Sequence, residues 1–191
     1  VKELLEFIRD ISAGMNYLSS MKIVHRDLAA RNILLHLLSS DRLIAKISDF
    51  GMSRMLSDTD YYRSRTARKL PVKWTSLEGL LYRKFTTASD IWSMGVLCWE
   101  IFSHGETPYP ELTNAQVVSH LQAGNRLPRP EMCPAGMYSM MIKCWNETPE
   151  QRPTFKDILA TSIACIESTS IIPPTLLEPS MALFYEYVKP N

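Results

Sequence analysis

The chain has 191 residues with 46% hydrophobic and 9% aromatic content, enough to bury one substantial core and too short for two ordinary domains. Its formal net charge of +1 supplies no global field, so neither a nucleic-acid polyanion nor an acidic membrane surface is implied as a partner. Cys98, Cys133, Cys144 and Cys165 form no C-x-x-C pair and show no metal-ligand spacing with the four histidines, so they read as reduced, buried thiols of a cytosolic setting.

The first residues, Val1-Lys2-Glu3-Leu4-Leu5, have neither an initiator Met nor a signal-peptide pattern, and the chain is expected to open on a cut end within a longer protein. Leu4, Leu5, Ile8, Ile11, Met15 and Leu18 recur at three- and four-residue steps, which predicts an amphipathic helix over about 2–20. After His25-Arg26-Asp27 come two short β-like runs, 33–35 and 43–47, separated by Ser39-Ser40-Asp41, which predicts a hairpin. From 52 to 69 periodicity is lost and Ser, Thr, Asp, Tyr and Arg dominate, the pattern of a surface loop. A second helix is expected to start near Ser89-Asp90, whose side chains would cap it, and to end near Gly105; it is apolar almost all round and so belongs in a core. Its apolar run is interrupted by Ser93, Gly95 and Glu100 and is too short to cross a bilayer, so no membrane span is expected. Further helices are predicted over about 114–123, 136–145 and 154–166, and the Pro-containing remainder reads as a tail.

Two segments carry chemistry. His25-Arg26-Asp27-Leu28-Ala29-Ala30-Arg31-Asn32, then a β hairpin, then Asp49-Phe50-Gly51, resembles the catalytic loop and metal-binding loop of protein kinases. For each Asp or Asn alone the turn-forming reading is favoured; for the constellation it is not. The Ala29-Ala30-Arg31-Asn32 run, Pro71-Val72-Lys73-Trp74, and Lys143-Cys144-Trp145 followed by Arg152-Pro153 resemble the tyrosine-specific branch, and the resemblance covers about 4–155.

The resemblance implies an α+β protein-kinase-like fold: a mainly α-helical lower (C-terminal) lobe over 1–167, with a short β hairpin carrying the two loops, followed by a tail over 168–191. The catalytic loop is 25–32, the metal loop 49–51 and the activation segment 49–78. It implies ATP and Mg²⁺ as cofactors. Asp27 would orient the substrate hydroxyl and take its proton, Asn32 and Asp49 would offer hard oxygen ligands to Mg²⁺, and Arg31 would steady the transferred phosphate or the substrate phenol. Leu34 would floor the adenine pocket; Asp90 would hold the catalytic-loop backbone; and Glu78 with Arg152 would form the ion pair that fastens the activation segment.

Tyr61 and Tyr62 resemble the autophosphorylation site of receptor tyrosine kinases, with Arg26 and Arg54 as receivers of the phosphate. Tyr185 and Tyr187 in the tail are candidate docking sites for phosphotyrosine-reading modules. The other implied partners are tyrosine-containing protein substrates and, through a parent receptor, a second copy. The implied location is the cytoplasmic side of the plasma membrane as part of a single-pass receptor, or the cytoplasm otherwise.

The chain departs from the pattern in three places. No Gly-rich loop or phosphate-gripping lysine precedes the catalytic loop, so residues 1–191 in isolation are expected to have negligible kinase activity. Thr75-Ser76-Leu77-Glu78 stands where A-P-E is usual. The hairpin is a few residues longer than the resemblance implies, with 36–40 as the insertion. Two readings result: an ATP-dependent tyrosine kinase whose parent supplies the upper lobe, favoured because Asp27, Asn32 and Asp49 are intact, or a pseudokinase scaffold recruiting partners through its tail.

Overall fold

The computed structural model describes residues 1–39, 42–56, 61–63 and 70–170. Helix α1 (Lys2–Ser20) matches the predicted amphipathic helix and buries Leu4, Leu5, Phe7, Ile8, Ile11 and Met15. Strands β2 (Ile33–Ser39) and β3 (Arg42–Ile47) form the expected antiparallel hairpin, with Ile33 opposite Ile47 and Leu35 opposite Ala45. One face of this hairpin lies on α1, which buries Ala45 and leaves Leu34, Leu37 and Leu38 exposed. The extra hairpin residues therefore extend its free end rather than disturb the core.

Two further antiparallel pairs are only two residues long: β1 (Ile23–Val24) with β4 (Arg54–Met55), and β5 (Tyr62–Arg63) with β6 (Lys84–Phe85). They clip the loops on either side of the site together. A short helix, α2 (Leu77–Tyr82), precedes β6.

Helix α3 (Thr87–Phe102) runs through the centre of the fold, with Ile91, Trp92, Met94, Val96, Leu97, Ile101 and Phe102 all nearly inaccessible. Its start corrects the expectation of a cap at Ser89-Asp90. Thr86 is the N-cap, accepting from the Ser89 backbone N–H, while the Ser89 hydroxyl accepts from the Thr86 backbone N–H. This reciprocal box satisfies two orphan donors and frees Asp90 for another task. The helix stops at Phe102, three residues before Gly105.

Helices α4 (Asn114–Gln122), α5 (Ala135–Cys144) and α6 (Phe155–Ser170) lie close to their predicted ranges, with α6 continuing one turn past 166. Gly124, at φ +85°, takes the left-handed turn that ends α4 and lets the Asn125 N–H reach the His120 carbonyl. Helix α6 packs along α1, and α5 packs against both α3 and α6, so α3 is walled in by helices on one side and by the loops of the site on the other.

Cys98, Cys133 and Cys144 are buried free thiols, and burial pushes those of Cys133 and Cys144 up to about 12, which makes them inert packing groups. Among the described residues no helix is long and apolar enough to cross a membrane. Tyr185 and Tyr187 lie outside the described residues.

Candidate active site

The chemistry-bearing loops converge on one edge of α3. The His25–Asn32 segment leaves β1 and ends in a 3₁₀ turn, Ala30–Asn32, that leads into β2. It is held from below by Asp90, whose Oδ2 accepts from the His25 backbone N–H at 2.7 Å and whose Oδ1 accepts from the Arg26 backbone N–H at 2.9 Å. Those bonds hold Arg26 at φ +72°, a left-handed conformation that costs a non-glycine residue on the order of 1 kcal/mol or more. Complete burial pushes the Asp90 carboxyl up to about 7, against the opposing pull of the two N–H groups and the Arg26 charge.

His25 ties the catalytic loop to the metal loop. One ring nitrogen, Nε2, lies 3.1 Å from the Ser48 carbonyl, and the other, Nδ1, accepts from the Asp27 backbone N–H at 3.3 Å. Donating at Nε2 and accepting at Nδ1 requires the neutral ring, in agreement with burial lowering its pKa. Its edge meets the Phe50 ring at 5.3 Å between centroids.

Asn32 donates through Nδ2 to the Asp27 carbonyl at 2.7 Å, which commits its amide nitrogen and leaves Oδ1 as its remaining side-chain acceptor. Both the backbone N–H and the hydroxyl of Ser48 donate to the Asn32 carbonyl at 2.9 Å, pinning the residue before Asp49 to the end of the catalytic loop. Asp49 itself is left-handed at φ +56°, with Oδ1 accepting from the Gly51 N–H at 3.1 Å. An amide oxygen and an exposed carboxylate, held on adjoining loops, make a hard donor set that fits a divalent cation whose remaining ligands are phosphates and water. Among the described residues there is no group of three or more His, Cys, Asp or Glu side chains that could hold a metal ion.

Asp27 and Arg31 form an ion pair one helical turn apart in sequence. The Arg31 guanidinium also lies over the Trp74 ring, 4.5 Å from its centroid. Trp74 closes the 3₁₀ turn Val72–Trp74, which follows Pro71 and is anchored by the Lys73 ammonium donating to the Tyr109 carbonyl at 2.8 Å.

Glu78 and Arg152 meet as predicted: Nη1 donates to Oε1 at 2.7 Å and Nη2 to Oε2 at 2.8 Å. The Ser89 hydroxyl adds a third donor to Glu78, and Arg152 also donates to the Ala88 carbonyl, so the pair stitches α2 to the start of α3. Burial alone would push the Glu78 carboxyl up; the Arg152 hydrogen bonds and charge outweigh it and leave it below its ordinary value. Tyr62 sits beneath two guanidiniums, Arg26 at 4.6 Å and Arg54 at 5.7 Å from its centroid, and the Tyr61 ring faces the Lys84 ammonium at 5.4 Å. Leu34 is 52% exposed on the hairpin beside the loop.

Two residues of the site were not singled out from the sequence. Ser93 donates to the Trp74 carbonyl at 2.8 Å, and a single oxygen of Glu100, Oε2, accepts from both the Trp74 indole N–H at 2.7 Å and the Ala30 backbone N–H at 3.0 Å. The available signal was a polar stripe: Ser89, Asp90, Ser93 and Glu100 fall along one face of a helix that is otherwise apolar.

This arrangement of loops around a central helix is that of a protein kinase lower lobe, and residues 1–161 match the protein tyrosine and serine/threonine kinase family; the chain belongs to it. Over 161 residues, 83% of this chain, it is 48% identical to ephrin type-A receptor 5 of Rattus norvegicus and of Homo sapiens. It is 49% identical over 156 residues, 82% of this chain, to the tyrosine-protein kinase transmembrane receptor Ror of Drosophila melanogaster. The chain is thus a homologue of receptor tyrosine kinases, and it spans 16%, 15% and 22% of the length of these three relatives.

Proposed function

We propose that residues 1–167 act as the lower lobe of a catalytic domain that transfers the γ-phosphate of ATP to tyrosine hydroxyls of proteins, followed by a tail over 168–191. The observation that carries the reading is the Asp27 constellation. Its carboxylate is paired with Arg31, its carbonyl is held by Asn32 and its N–H by His25, so an acceptor is fixed where an incoming hydroxyl can be oriented. A tyrosine hydroxyl hydrogen-bonded to Asp27 is aligned for attack and gives up its proton to that carboxylate as its oxygen bonds to the γ-phosphorus and the bond to the bridging oxygen breaks, ADP leaving with that electron pair. Arg31, beside Asp27, supplies positive charge and planar donors to the phenol or to the moving phosphoryl oxygens. Asn32 and Asp49 would hold Mg²⁺, which when bound neutralises charge on the nucleotide phosphates. Leu34 offers an apolar surface to the adenine ring.

The similarity to transmembrane receptors supports a place on the cytoplasmic side of the plasma membrane within a single-pass receptor, with dimerisation through that parent. Tyr185 and Tyr187 remain candidate docking sites for phosphotyrosine-reading modules.

The test is phosphate transfer from ATP to matched tyrosine and serine peptides by the full-length gene product that contains this chain. Transfer to the tyrosine peptide, reduced at least 100-fold by Asp27→Asn, is expected. Absence of transfer, equal use of the serine peptide, or an unaffected Asp27→Asn variant would overturn the reading.

A further inference from the structure

Trp74 is held at both ends by the same helix. Ser93 donates to its backbone carbonyl at 2.8 Å, and Glu100, two turns further along α3, accepts from its indole N–H at 2.7 Å. The ring so fixed is the surface on which the Arg31 guanidinium rests, 4.5 Å from the centroid, while Arg31 pairs with Asp27. Glu100 is only 3% exposed. No ion pair neutralises it among the described salt bridges, and a buried carboxylate is a costly way to satisfy two N–H donors unless its charge is used. A negative charge on the indole N–H raises electron density on the ring face, where Arg31 lies, and the other bond of the same oxygen fixes Ala30, the residue before Arg31.

We infer that Glu100 and Trp74 are positioning residues: through the ring face of Trp74 they set the orientation of Arg31, and with it the capture of the substrate phenol. The inference rests on the tyrosine-kinase reading and deepens it by assigning the part of the site that selects the acceptor hydroxyl. The Trp74 and Arg31 side chains make no described contact with Asn32 or Asp49, and Asn32 meets this chain of contacts only through the backbone, at the Asp27 carbonyl and as the neighbour of Arg31. Loss of the Trp74 contact is therefore expected to fall on the peptide side of the reaction more than on the nucleotide side.

The experiment uses the full-length gene product with Trp74→Leu, Trp74→Phe, Glu100→Leu and Glu100→Gln, assayed for KM toward a tyrosine peptide and toward ATP. Trp74→Leu and Glu100→Leu are expected to raise the peptide KM about tenfold, with the ATP KM held within about twofold. Glu100→Gln, which keeps an oxygen able to accept both bonds but lacks the charge, should recover only part of the loss. Trp74→Phe, which keeps a ring without the donor, should fall between. Combining Trp74→Leu with Glu100→Leu should add little, because both act through one contact. Parallel changes in both KM values, as from a loosened fold, would overturn the inference, and so would a peptide KM unchanged in Trp74→Leu. If Glu100→Leu fails to fold, the two Trp74 variants and Glu100→Gln carry the test. An unmodified protein that does not phosphorylate tyrosine would instead remove the functional reading itself.

Discussion

Glu78 and Arg152 are 74 residues apart in sequence, yet their side chains meet through two parallel N–H to carboxylate bonds in a site where both residues are buried. A fork so enclosed is costly to break from one side, because the surviving charge is left without a partner. Arg152→Met is expected to lower unfolding free energy by about 3–5 kcal/mol, read from urea midpoints at constant slope. The folded Glu78 pKa is depressed, so the pair stabilises above the ordinary Glu range and that stability is lost as pH falls through the lower folded value. The variant should therefore show a shallower loss of stability on acidification below pH about 4.3.

Asp90 carries the opposite sign. Its folded pKa is raised to about 7, so the native state holds a proton that the unfolded chain has already released above its ordinary pKa of about 3.9. Its contribution is full below that ordinary value and fades as pH rises through 7. Asp90→Asn cannot ionise and should flatten this part of the stability profile. Its amide nitrogen would also face a backbone N–H, so peptide phosphorylation should drop at every pH through misplacement of Arg26 and Asp27. A pH profile of thermal midpoints indistinguishable from that of the unmodified protein would contradict the assignment.

Tyr62 lies beneath Arg26 and Arg54. A phosphate on its hydroxyl would add close to two negative charges next to those guanidiniums. Replacing Tyr61 and Tyr62 together by Phe in the full-length product should lower tyrosine-peptide phosphorylation after preincubation with ATP. Equal activity of the two proteins after preincubation would remove this switch.

Gly95 lies where α3 packs against the C-terminal end of α5. A Cβ built there would stand 2.6 Å from Trp145 Nε1 and 2.9 Å from Cys144 Cβ. Gly95→Ala must therefore push the two helices apart and is expected to cost about 1–3 kcal/mol, despite the better helix propensity of Ala. Thermal unfolding measures it directly.

The parts of the molecule that were readable in advance are those whose signal is local. Helix α1 announces itself through the spacing of Leu4, Ile8, Ile11 and Met15, and Asp27, Asn32 and Asp49 through their order along the chain. The two-residue pairs β1 with β4 and β5 with β6 offer no alternation to read, and each exists only because distant loops meet. The true cap of α3 was missed because Thr86, Ser89 and Asp90 are all good capping types, and only tertiary demand decides which one is called elsewhere. Ser93 and Glu100 were treated as interruptions of an apolar run. Their partners, on the Trp74 turn and at Ala30, lie 19, 26 and 70 residues away, beyond the reach of any periodicity.

Because Asp90, Ser93 and Glu100 belong to one continuous helix, α3 works as a ruler for the loops it holds. The attachment of His25 and Arg26 and that of Trp74 and Ala30 are separated by about 15 Å of helical rise. Inserting a single residue between Ser93 and Glu100 would lengthen that interval by about 1.5 Å and swing Glu100 round by about 100°, away from both donors. The hairpin can absorb extra residues at its free end because nothing is measured against it. Length variation is thus tolerated at the rim of this lobe and forbidden along its axis.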